Sequence, residues 1–163
     1  MPSTQNMEVL APHSKVWIYQ ASQAFNPSEV ETIKNQVKSF AKAWVSHSNQ
    51  LKAYGDVLFD RFLILMVDES QAGASGCSID TSVAFIKNLQ AEYGVDFFDR
   101  MRFSYQDESG AIHTLARAEF EALYQEGKIT DKTLVFDTLV KDKAAFESAF
   151  LKPLGESWHA RMV

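Results

Sequence analysis

One uninterrupted apolar run, Phe62 to Val67 (FLILMV), constrains this chain more than any other feature. It has the length of a strand, and because it does not alternate with polar residues it needs cover on both faces. Asp68 and Glu69 end it, since charge is costly to bury without a partner. The chain then passes through SQAGASGCSID, where Gly73 and Gly76 permit backbone geometry that bulkier residues resist. Ala72, Ala74 and Ser75 leave room for close approach. From Ile79 the spacing Ile79, Val83, Ile86, Leu89 and Tyr93 is helical, and Gly94 is a good C-terminal stop. Arg61 to Gly94 therefore predicts a buried strand, a bend of small residues and a helix. The helix starts between Ser75 and Asp80, with Ser75, Ser78 and Asp80 competing to cap it.

The residues suited to chemistry sit in the middle of this unit. A helix start preceded by glycines presents free backbone N–H groups and the positive end of a dipole, a place for an anion. Ser75, Gly76 and Ser78, with Asp68 and Glu69 beside them, are thus candidate ligand-binding residues. Cys77 lies where a thiolate would be stabilised, with Asp80 or a distant histidine as its partner in a thiol mechanism. Each has a plainer reading: Cys77 as a small apolar filler, Asp68 and Glu69 as solvated charges that stop a strand. His13, His47, His113 and His159 show no metal-ligand spacing, and Trp158 is placed to anchor the C-terminal segment. GASGCSID lacks the lysine of a phosphate-binding P-loop, and neither G-x-G-x-x-G nor G-x-S-x-G occurs.

The chain has 163 residues, enough for one domain, and 46% hydrophobic residues, including twelve Phe and three Trp, can supply its core. A net charge of −5, with Lys and Arg interspersed among Asp and Glu, argues against a nucleic-acid surface. A single cysteine excludes an intrachain disulfide and a cysteine-based metal cluster. The first residues, MPSTQNMEVLAPHS, lack the basic start and apolar core of a signal peptide. No apolar run approaches the roughly 20 residues needed to cross a bilayer. The expectation is a soluble cytoplasmic protein without membrane insertion, metal or nucleic-acid partner. No cofactor is indicated.

Along the chain, residues 1–14 predict a loose arm and Val16–Tyr19 a first strand. Asn26, Pro27 and Glu29 have the positions of a helix cap, first helical residue and capping-box partner, ahead of the stripe Val30, Ile33, Val37, Phe40, Trp44. Leu51–Phe59 predicts a strand in hairpin with the apolar run, Gly55 marking a bulge. Met101–Gln106 and Ala111–Leu115 predict a second hairpin, followed by helix 118–125, a β-rich stretch 133–140 and helix 143–151. The leading architecture is α+β: a ferredoxin-like βαββαβ core over 15–107, with a C-terminal hairpin-helix extension over 108–163 packed on it. The alternative is a three-layer α/β sheet in which 51–59 is not a strand.

The run FLILMVDESQAGASGCSIDTSVAFIKNLQAEYGVDFFDRM, with the later TLVFDTLV and ESWHARMV, resembles a family of short bacterial proteins, mostly from Bacteroidetes, that often carry the name "ABC transporter ATPase". These residues contain neither a Walker A lysine nor a transporter signature, so the resemblance implies kinship without ATPase activity and carries no catalytic residue. FSYQDESGAIHTLARAEFEALYQEGKITDKTLVF also looks like a small GYF-related module, without the Gly-Pro-Phe that would precede its helix. Three functional readings follow. The first is binding of an anionic small molecule or peptide end at Ser75–Asp80. The second is a thiol-dependent enzyme with Cys77 as nucleophile. The third is a protein-interaction adaptor, with self-association into a homodimer left open.

Overall fold

The computed structural model describes residues 7–163, so residues 1–6 of the expected arm lie outside the described residues. In chain order the elements are β1 (Lys15–Gln20), α1 (Val30–Ala43), β2 (Val45–Ser46), β3 (Asn49–Gln50), β4 (Lys52–Leu58), β5 (Phe62–Asp68), α2 (Gly76–Tyr93), β6 (Arg102–Gln106), β7 (Ile112–Ala116), α3 (Arg117–Gln125), β8 (Leu134–Phe136), α4 (Lys143–Ala149) and β9 (Leu151–Pro153). Helices and antiparallel sheets are mixed, which makes the fold α+β.

The apolar run becomes β5, the centre of a three-stranded sheet ordered β1-β5-β4, antiparallel throughout. Every residue from Phe62 to Val67 is fully buried. Leu63, Leu65 and Val67 face a core built with Ile33, Val37, Ile86 and Leu89 of α1 and α2. Phe62, Ile64 and Met66 face the other way, into a core closed by Leu10, Phe136, Phe146 and Phe150. Cover on both faces is what the unbroken run required. Because 52–58 is a strand, the three-layer alternative does not apply.

Gly55 does not mark a bulge, since its register with Leu65 is unbroken. A Cβ there would stand 2.8 Å from the Val37 carbonyl oxygen and 3.0 Å from Ala41 Cβ. The glycine lets α1 lie directly on β4. The hairpin between β4 and β5 turns on Phe59 and Asp60, both at positive φ (53° and 57°). Leu58 pairs with Phe62, so the loop has three residues, closed by Arg61 N–H on the Leu58 carbonyl (3.2 Å), and Phe59 packs there on Phe136 at 5.2 Å between ring centroids.

The strand expected to complete a ferredoxin-like sheet goes elsewhere. β6 belongs to a second sheet ordered β7-β6-β8-β9. At the outer edge of β1, Val16 N–H donates to the Lys141 carbonyl and Lys15 bridges to Asp142, so the start of that edge is taken by the chain ahead of α4. Where β6 does come near, side chains make the bonds. Gln20 Nε2 donates to the Arg102 carbonyl (2.8 Å) and Ser104 Oγ donates to Gln20 Oε1 (2.7 Å). The second sheet has its own core of Phe103, Phe120, Ile129, Val135 and Leu154 beneath α3. The last expected helix ends at Ala149, and Leu151–Pro153 returns as a strand against β8.

Candidate functional site

Ser75 captures the start of α2. Its Oγ accepts the Ser78 N–H (3.1 Å), while its own N–H donates to Ser78 Oγ (2.7 Å), a reciprocal capping box. Ile79 N–H reaches the Ser75 carbonyl, and the Ser78 carbonyl accepts Trp44 Nε1–H at 2.8 Å. Gly94, at φ 66°, closes the far end. Ser75 and Ser78 are therefore spent on the helix itself. Among the described residues nothing accepts from the N–H groups of Gly76 and Cys77, the first two helical positions. Both residues are exposed.

The two carboxylates after β5 are occupied with holding the loop. Asp68 is 2% exposed; its oxygens accept from Ala11 N–H (2.9 Å), Ser70 N–H (3.0 Å) and Ser70 Oγ–H (2.6 Å), with Lys52 Nζ at 3.5 Å. Burial works to raise its pKa, but the Ser70 hydroxyl, the two N–H groups and Lys52 outweigh that and hold it well below the usual carboxylate range. Glu69 accepts Ala74 N–H at 2.8 Å and pairs with Lys15 at 3.2 Å. Ligand-facing roles for Asp68 and Glu69 find no support in these contacts. Asp80 is exposed on the first turn. Cys77 is exposed too, so the sulfur is not core filler, and among the described residues no side chain hydrogen-bonds to it. The bend thus gathers Ser75, Gly76, Cys77 and Ser78 into one turn with Asp80 beside them, and sets Asp68 and Glu69 behind as braces.

One residue belongs with this turn that sequence patterning passes over. Helix α1 runs antiparallel to α2: Gln36 Nε2 donates to Glu92 (3.0 Å), the Phe40 and Phe85 rings stack at 4.4 Å and 11°, and Trp44 meets Ser78. The chain leaving α1 therefore travels toward the start of α2, and β2 packs against that helix. Burial alternates along it, with Trp44 at 2%, Val45 at 47% and Ser46 at 4% exposed. Ser46 is thus buried on the same side of the chain as Trp44, whose Nε1–H reaches the Ser78 carbonyl. Its Oγ is buried with no hydrogen-bond partner in the protein. The segment VSHSNQ offers no periodicity that could have placed it, because β2 and β3 join through His47 and Ser48 at positive φ rather than through a recognisable Asn-Gly turn.

The histidines are scattered. His13 lies near Ser70, His47 is in the β2–β3 turn, His113 Nε2 pairs with Asp107 Oδ2 at 2.7 Å, and His159 is 1% exposed beneath Trp158. Among the described residues no group of three or more His, Cys, Asp or Glu is disposed to hold a metal. Among them, too, no helix is long and apolar enough to cross a membrane. Comparison with protein-family profiles, with curated proteins and with solved structures finds no match to this chain.

Proposed function

We propose that this chain is a binding protein for a small oxyanion, a carboxylate or phosphate group, received at the first turn of α2. The N–H groups of Gly76 and Cys77 are the receiving donors, and the Ser46 hydroxyl is a third. The observation that carries this reading is Ser46. A buried hydroxyl without a partner is unfavourable by about 1–3 kcal/mol, and this one stands on β2, which packs against α2, the helix whose leading N–H groups are also unengaged. Ser75 and Ser78 shape the turn without touching the ligand. Gly76 leaves the approach clear, because a Cβ there would meet nothing within 4 Å. Of the neighbouring acidic groups, Asp68 and Glu69 are balanced by Lys52 and Lys15, and Asp80 is not paired among the described residues.

Calorimetric titration with phosphate, acetate and a nucleoside monophosphate tests this. Binding in the low-millimolar range or tighter that is lost in Ser46→Ala and kept in Cys77→Ser supports it. No heat with any of the three, or binding indifferent to Ser46, refutes it. Thiol chemistry is the second reading, favoured by the exposure of Cys77 at the second helical position. Its measurement is the pH dependence of alkylation: a thiolate formed well below the ordinary thiol pKa of about 8.5 supports it, and ordinary titration removes it.

A further inference from the structure

A cavity that shares no residue with the α2 turn lies at one end of the second sheet. Strands β6 and β8 are paired only through Tyr105–Val135 and Gln106–Leu134. Past that point the two chains part, one into the β6–β7 turn and the other back into the loop after α3. The gap between them is a cleft of about 890 Å³, within the roughly 300–1,000 Å³ of small-ligand sites.

Both lips are braced from within, so the cleft is preformed. On one side Asp107 Oδ1 accepts from Ser109 N–H (2.9 Å), Ser109 Oγ–H (2.6 Å) and Ala111 N–H (3.1 Å), while Oδ2 pairs with His113. On the other, Thr130 N–H donates to Thr133 Oγ1 (2.8 Å) and Thr133 N–H to the Thr130 carbonyl (3.0 Å). The lining is half apolar in character, and Leu134 is 37% exposed there. The charges divide by side. Asp107 is consumed by its own turn, which leaves Glu108 on the hairpin lip, exposed and unpaired among the described residues. Across from it Lys132 is likewise exposed and unpaired, whereas Lys128 is matched by Glu126 at 3.1 Å.

We propose that this cleft binds a short peptide segment with a basic group at one end, an acidic group at the other and apolar side chains between them. The basic group meets Glu108, the acidic group meets Lys132, and the apolar part covers Leu134. Lips of opposite sign discriminate against segments of one sign, since either one would set like charges together.

Fluorescence anisotropy of the whole protein with three labelled peptides tests the assignment: Lys-Leu-Leu-Glu, Lys-Leu-Leu-Lys and Glu-Leu-Leu-Glu. The mixed peptide is expected to bind best. Lys132→Glu and Glu108→Lys are both surface substitutions clear of the core. Each is expected to weaken the mixed peptide about two- to fivefold, the scale of an exposed ion pair. Lys132→Glu should move the preference to the all-basic peptide, and Glu108→Lys to the all-acidic one. No binding of the mixed peptide at millimolar protein, equal binding of all three, or preferences unmoved by the two reversals would each overturn the proposal.

Discussion

At Ser46 the protein keeps a hydroxyl under cover with nothing to bond to, so Ser46→Ala is expected to stabilise the ligand-free fold by about 1 kcal/mol. In a chain of this size that raises Tm by about 2–4 °C, and thermal melting checks it; a fall in Tm would mean that the hydroxyl has a structural role. Gly55 carries the opposite expectation. A methyl group there would press on the Val37 carbonyl at 2.8 Å, which is backbone and cannot step aside, so Gly55→Ala should destabilise by about 1–3 kcal/mol in urea unfolding. His159 sets a pH dependence. Burial pushes its imidazole down to about 4, Asp137 opposing and Lys152 adding to the effect. The unfolded chain takes up the proton near pH 6.5 and the folded one only near 4. Stability is therefore full above about 6.5 and falls as the pH drops to 4, by about 3 kcal/mol from this residue. In His159→Phe that part of the slope should disappear from urea unfolding measured between pH 7 and 4.5, and a slope equal to wild type would contradict the assignment.

The elements differ in how openly the residues announce them. Phe62–Val67 needed cover on both sides and obtained it, and Ser75 and Gly94 bound α2 where small-residue chemistry placed them. At α1 the Asn26 cap operates one turn early: its Oδ1 accepts the Ser28 N–H at 3.1 Å, but the helix proper begins at Val30, and no reciprocal bond from Glu29 accompanies it. β6 could not be assigned to its sheet from its own residues, because its partner β8 lies some 30 residues later in the chain and the start of the β1 edge is met by Lys141 and Asp142, later still. Leu151–Pro153 was hidden for a similar reason, since a three-residue strand ending in proline exists only through its partner β8. At the candidate site the turn itself was legible in Gly, Ser and Cys, whereas the bracing role of Asp68 and Glu69 and the arrival of Ser46 depend on tertiary packing. Gln20 is one place where the two sheets are joined by side chain, the other being Arg61, whose Nη1 donates to Thr114 Oγ1 of β7 at 3.0 Å. Gln20→Ala is expected to cost about 1–2 kcal/mol and to speed amide hydrogen exchange in β6 more than in β5; equal acceleration in both strands would mean the two sheets open as one.

Among the described residues the molecule has three apolar cores, two of them sharing β5 and the third under α3. The proposed oxyanion turn stands at the edge of the first and the proposed peptide cleft beside the third. The two can be probed separately, because no residue is shared between them. The oxyanion turn is the claim on which the functional reading stands, and amide chemical-shift mapping during a phosphate titration tests it most directly. The account predicts saturable shifts centred on Gly76 and Cys77, extending to Ser46 and abolished by Ser46→Ala. Shifts confined to surface lysines, or none at Gly76 and Cys77 at saturating phosphate, would contradict it.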